Sequence, residues 1–265
     1  MFLHAAVARS DREGPLLTLL HPSRGLVPFG VVVDWDEACL REGERVRLEG
    51  RRLMFGESRV VVELEGEGDD LQIGPSPVSL RALRAQLVRL RLPPRTRALL
   101  CGDSEDLVVR TASARLAAVV CALFAEDPAA SGWPGSALGL IGLGPGSTPT
   151  GDDLLAGLAA LGHRLAADAV LPETSWRGFL ETLEASPRDR TTETAAEMLR
   201  HAASGAFPEA LLDFATRLGT EGCEAAALQQ AADRLAGLGA QTGTDMLAGA
   251  LSLAARAVGN HGGLS

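Results

Sequence analysis

Gly142-Leu-Gly-Pro-Gly-Ser-Thr-Pro-Thr-Gly-Asp-Asp-Leu-Leu-Ala-Gly157 is a loop of glycine and proline that runs straight into an apolar segment. Gly142, Gly144, Pro145, Gly146 and Pro149 exclude a regular element in the loop, whereas Leu154, Leu155, Leu158 and Leu161 recur at helical spacing directly after it. The spacing predicts a helix beginning at Thr150. Thr150 and Asp153 stand in the Thr-x-x-Asp arrangement of a reciprocal cap, in which the hydroxyl takes an amide of the first turn and the carboxylate reaches back.

A glycine loop feeding a helix offers free backbone N–H groups at the positive end of the helix dipole, a suitable seat for phosphate or carboxylate. Asp152 and Asp153 oppose that reading, because two acids repel an anion unless a metal ion or a ligand with its own N–H donors lies between. The plain alternative is a well-capped buried helix. A second copy speaks against it: Thr242-Gly-Thr-Asp-Met-Leu-Ala-Gly249 repeats Thr150-Gly-Asp-Asp-Leu-Leu-Ala-Gly157, again after a glycine-rich approach, Ala236-Gly-Leu-Gly-Ala240. Gly157 and Gly249 each follow the shared acid by one helical step, so they lie on the face of Asp153 and Asp245. Glycine inside a helix costs about 1 kcal/mol against alanine. Its paired placement predicts two backbones in close approach and two helix starts converging on one site.

With 265 residues the chain has material for one large domain or two ordinary ones. A net charge of −9 argues against nucleic acid or an anionic membrane as partner. Every basic side chain is arginine, which removes Schiff-base lysines and a P-loop lysine. Cys39, Cys101, Cys121 and Cys223 lack metal or disulfide spacing and read as buried thiols. The N-terminal residues show no export leader and no apolar run approaches the roughly 20 residues of a membrane helix, so a cytoplasmic protein is expected.

Working outward, the region before about Gly74 consists of short β-branched runs between turns: Val31–Val33, Arg45–Leu48, Leu53–Phe55 and Val60–Leu64, the last three as consecutive hairpins. The expected fold is α+β: a small antiparallel β barrel or sandwich over residues 1–76, then an all-α domain over residues 77–265 carrying the glycine loop. Helices are predicted over Val78–Leu92, with its arginine row facing solvent, over Thr111–Ala125 as a central core helix, and over Gly151–Ala167. Further helices are predicted over Pro172–Leu183, Ala195–Ala203, Phe207–Leu218, Glu221–Leu235 and Asp245–Val258. Asp127 to Gly135 reads as a linker.

Among chemical motifs, the Gly-x-Gly-x-x-Gly of dinucleotide sites fails at Ser147, and no strand, helix, strand context surrounds it. Ser147 lacks a nucleophile elbow. His163 reads as a satisfied or surface histidine, and His4, His21, His201 and His261 give less to argue from. Thr191 and Thr192 stand where a helix cap belongs.

The loop resembles the signature Gly-Leu-Gly-Pro-Gly-x-Thr-Pro-Ser-Gly-Asp-Asp-hydrophobic-x-x-Gly of the AllH-type subunit family of oxamate carbamoyltransferase. Thr191-Thr192 look like that family's Thr-Thr element, and Thr242-Gly-Thr-Asp245 is similar to its Gly-His-x-Ser-Gly-x-Asp. The run Pro28-Phe-Gly-Val-Val-Val33 also fits. Ala240 stands where the histidine is expected, followed by Gln241. The resemblance implies transfer of a carbamoyl group between phosphate and a small amide or amine acceptor such as oxamate, in allantoin breakdown, with unlike partner subunits. Under it, Gly144, Gly146, Ser147, Thr148 and the Gly151 amide hold phosphate, with Thr150, Thr191, Thr192, Thr242 and Gly243 around them. Asp152, Asp153 and Asp245 are the catalytic candidates. Two alternatives stand beside this: a helical hydrolase holding Mg²⁺ through Asp152, Asp153 and Asp245, and a non-catalytic anion-binding or scaffolding subunit.

Overall fold

The computed structural model describes residues 5–9, 16–20, 25–28, 30–32, 45–49, 52–56, 61–63, 70–74, 76–125, 133–185 and 189–260. Cys39, His4, His21, His261 and the turn at Glu65–Gly68 lie outside them. The chain divides into two compact units, Met1–Leu71 and Gln72–Ser265.

In the first unit, β1 (Ala5–Arg9) runs antiparallel to β2 (Leu16–Leu20), and β3 (Gly30–Val32) lies parallel to β2. A second sheet is the expected pair of hairpins, β4 (Val46–Glu49), β5 (Arg52–Phe55) and β6 (Val61–Glu63), all antiparallel. Leu53 and Phe55 are buried at alternate positions of β5, the period-two pattern of a strand with one covered face. The barrel or antiparallel sandwich expected from the sequence is corrected here. Among the described residues the strands form two separate three-stranded sheets, nothing closes a barrel, and one pairing is parallel. Short β-branched runs report that strands exist but not which neighbour or direction each takes. β1 and β2 escaped because Ala5-Ala-Val-Ala-Arg9 and Leu16-Leu-Thr-Leu-Leu20 carry little β-branched or aromatic signal.

The second unit is helical: α1 (Leu80–Leu87), α2 (Pro94–Cys101), α3 (Leu107–Leu123), α4 (Trp133–Leu140), α5 (Thr150–Ala167), α6 (Glu173–Glu184), α7 (Glu193–Ala203), α8 (Glu209–Arg217), α9 (Ala225–Ala236) and α10 (Thr242–Asn260). None among the described residues is long and apolar enough to cross a membrane. The core is built on α5 and α10, which pack on each other along their length. Every residue from Thr150 to Gly162 is buried. The central place expected for Thr111–Ala125 is therefore corrected: α3 leaves Ala114, Ala117, Ala118 and Cys121 exposed. Alanine counts as apolar yet costs little in water, so an alanine-rich run need not be enclosed. Cys101 and Cys121 are exposed and Cys223 is half-buried, so the described thiols are not the buried ones anticipated. α2 and α4 were hidden because Pro94 and Trp133-Pro-Gly135 read as breakers. Pro94 stands at the first helical position, where its missing N–H has no partner to lose.

The duplication in the sequence is a duplication in space. A Cβ placed on Gly157 would lie 1.8 Å from the Met246 carbonyl oxygen, and one on Gly249 would lie 2.0 Å from that of Leu154. Leu154 and Met246 are equivalent residues of the two copies, so each helix seats its glycine on the other's matching carbonyl, an approximate two-fold relation. The next pair repeats it: a Cβ on Gly151 meets the Leu140 carbonyl oxygen at 1.9 Å, and one on Gly243 meets that of Leu235 at 1.7 Å. The Gly151 amide bonds Leu143 and the Gly243 amide bonds Leu238, both at 2.9 Å. α4 with α5 and α9 with α10 are thus two versions of one helix, loop, helix unit. The first has the longer loop.

At the far end of α5, Arg164 is 1% exposed and donates to the carbonyls of Ser76, Pro77, Ala215 and Leu218 and to the Thr220 hydroxyl. It supplies acceptors at the end of α8 with donors they would otherwise lack. His163 is satisfied: its Nε2 meets the Ala202 carbonyl at 2.9 Å, and its ring packs edge-on against Trp176 and Phe207.

Candidate functional site

The start of α5 departs from the cap expected of its sequence. Pro149, at φ −57° and ψ 147°, takes the N-cap position, and its carbonyl accepts from the Asp152 and Asp153 amides. Thr150 is thereby the first helical residue, and its hydroxyl accepts 2.8 Å from Nη2 of Arg95. The reciprocal cap of Thr150 and Asp153 does not form, because a charged guanidinium is a stronger donor to that hydroxyl than a neutral amide.

The three acids have different partners. Asp152 is fully buried and accepts from the Gly142 amide on both oxygens at 3.2 Å and from the Thr191 hydroxyl at 2.6 Å, tying the loop to the turn before α7. Burial pushes its carboxyl up to about 6 against the pull of those two donors. Asp245, also fully buried, holds Arg95 in a bidentate pair, Nε to Oδ1 at 2.6 Å and Nη2 to Oδ2 at 2.9 Å. Asp153 is 1% exposed, and its Oδ1 has no hydrogen-bond partner. Burial first, and then the nearby Asp245 charge, lift its carboxyl well above the ordinary range, while the hydroxyls of Thr148 and Thr242 pull it back.

The remaining candidates assemble around these acids. The Thr148 and Thr242 hydroxyls bond at 2.8 Å, joining the loop before α5 to the first residue of α10. Thr192 caps α7 by accepting from the Ala195 amide at 3.1 Å and donates to the Ser147 carbonyl. Gly144, at φ 114°, lies against Thr150: a Cβ there would fall 3.0 Å from the Thr150 nitrogen and 3.1 Å from its hydroxyl oxygen. Pro145 and Gly146 are exposed, and Gly144, Ser147 and Thr148 are half-buried. Among the described residues, the amides of Gly144, Gly146, Ser147 and Thr148 donate to no protein acceptor. Gly151 and Gly243 serve close packing, and the Gly151 amide is taken by Leu143. Ala240, exposed before α10, brings no proton-transfer group.

As a donor set the acids do not fit Mg²⁺. Asp152 faces an amide and a hydroxyl, Asp245 faces a guanidinium, and only Asp153 Oδ1 is uncommitted. Among the described residues no three His, Cys, Asp or Glu side chains are grouped as metal ligands. A separate cleft of about 190 Å³, lined by Ala82, Gln86, Arg89, Leu90, Cys223 and Leu228 among others, contains none of these residues.

Residues 140–254 match the family model described as oxamate carbamoyltransferase subunit AllH. Over this stretch the chain is similar to the AllH family. The matched residues run from the last residue of α4 into α10 and so include both glycine approaches, the Thr191-Thr192 turn and all three acids. No curated protein and no solved structure matches the chain. Arg95 and Thr96 lie outside the matched stretch. Sequence reasoning missed both, since the predicted helix ended at Leu92 and no element was assigned to Arg95 or Thr96. The available signal was the clustering of acids at two helix starts, which demanded a cation.

Proposed function

We propose that this chain is a subunit of a carbamoyltransferase resembling oxamate carbamoyltransferase, and that the loop Gly142–Thr150 holds the phosphate end of the carbamoyl carrier. The observation that supports this most is the set of unengaged amides at Gly144, Gly146, Ser147 and Thr148, in the AllH-matched stretch, on a loop open to solvent. The objection that acids would repel the phosphate is met by their partners. Burial favours the neutral form of Asp153, and Asp245 is offset by Arg95.

In phosphorolysis, the bond between the carbamoyl carbon and the acceptor nitrogen breaks as a phosphate oxygen bonds that carbon. The protonated carboxyl of Asp153 gives its proton to the departing nitrogen; in the reverse direction the nitrogen returns it. Thr191 and Thr192 fix the loop through Asp152 and the Ser147 carbonyl. Asp153→Asn keeps the size and neutrality of the side chain but removes the transferable proton. In the complex assembled with its partner subunits, this variant should fold and bind phosphate while losing turnover. Full turnover would remove the proton role and leave the chain an anion-binding subunit.

A further inference from the structure

Resting on the phosphate reading above, we propose that Arg95, outside the AllH-matched stretch, is an anion-binding residue of this site, offering Nη1 to the ligand. Its guanidinium has two edges. Nε and Nη2 are spent on Asp245 and Thr150, whereas Nη1 donates to nothing among the described residues. The side chain is 22% exposed and its carboxylate partner 1%, so Arg95 lies at the rim of the buried pair and not inside it.

The position does not depend on the ion pair. Pro94 sets the start of α2, and the next residue, Thr96, fully buried, donates its hydroxyl 2.9 Å to the Thr244 carbonyl, fastening α2 to the first turn of α10. Leu99, also buried, packs into the same core. Thr150, which receives Nη2, is the residue against which Gly144 lies, so Arg95 and the unengaged loop amides border one spot. A second observation marks that spot as a ligand's. Asp153 Oδ1 is buried with no hydrogen-bond partner, which is costly unless a partner arrives; burial favours the protonated carboxyl, whose O–H can be donated to an oxyanion. Arginine suits the task because one edge can hold a carboxylate while the other meets an oxyanion.

The test is calorimetric titration of the full-length chain with inorganic phosphate at low ionic strength, using Arg95→Gln, Asp245→Asn and the double variant, with thermal melting to verify folding. Asp245→Asn leaves Arg95 without its counter-charge and should bind phosphate several-fold more tightly, a gain that no purely structural pair produces. Arg95→Gln and the double variant should lose about tenfold or more in affinity. The double variant has no orphaned Asp245 charge, so its loss cannot be laid to misfolding. Wild-type affinity in the double variant would overturn the role of Arg95 and leave the loop reading intact. Absence of phosphate binding by the wild type would overturn both.

Discussion

Gly157→Ala separates helix propensity from packing with opposite signs. Propensity alone predicts that alanine in the middle of α5 stabilises by about 1 kcal/mol. The added Cβ would stand 1.8 Å from the Met246 carbonyl oxygen, and that atom is backbone, unable to turn aside. An ordinary C···O contact is about 3.3 Å, so α5 and α10 must part by roughly 1.5 Å at their closest point. A gap of that order forfeits much of the dispersion across the core, and overpacking typically costs about 1–3 kcal/mol. The variant should therefore unfold about 2 kcal/mol more easily than wild type, measured as a lower urea midpoint with an unchanged slope. Parting the helices also strains the bridges between their starts, Thr148 to Thr242 and Arg95 from Asp245 to Thr150, so phosphate affinity should fall as well. Wild-type or greater stability in Gly157→Ala would refute the reading that these glycines exist for backbone contact.

Three further outcomes follow from the geometry. Asp152, raised from 3.8 to about 6, binds its proton more tightly in the folded chain. Its contribution to stability is complete below about pH 3.8 and is lost as pH rises through about 6, roughly 3 kcal/mol across the window. Asp152→Asn should flatten that part of the dependence of the urea midpoint on pH, and an unchanged slope would contradict the assignment. Arg164→Met strands buried carbonyls and should destabilise by about 3 kcal/mol or more in denaturant titration. A change under about 1 kcal/mol would show that the backbone finds other donors. Thr242→Val removes the hydroxyl link to Thr148 and should destabilise by about 1 kcal/mol in urea titration; an unchanged midpoint would mean the link adds nothing to the fold.

Repetition made the helical core legible in part. Glycine at equivalent positions of two like segments implied close backbone contact, and Gly157 on Met246 with Gly249 on Leu154 is that contact. The start of α5 misled, because the Thr-x-x-Asp pattern is local whereas the partner of Thr150 arrives from α2. Arg95 was not legible for the same reason: its role comes from a fold that brings residue 95 to residues 150 and 245. The three acids looked alike in sequence and differ only through their neighbours, Asp152 a fastener, Asp245 an ion-pair member and Asp153 without a donor at Oδ1. In the first unit, short β-branched runs between turns identified β4 to β6 but carried no information on the parallel pairing of β2 with β3.

The central claim, that the loop between α4 and α5 receives an anion on its backbone amides, is tested most directly by amide chemical shifts during titration with inorganic phosphate. The account predicts saturable shifts at Gly144, Gly146, Ser147 and Thr148, together with the Arg95 side chain. Phosphate that leaves those amides unmoved, or that binds elsewhere on the chain, would contradict it.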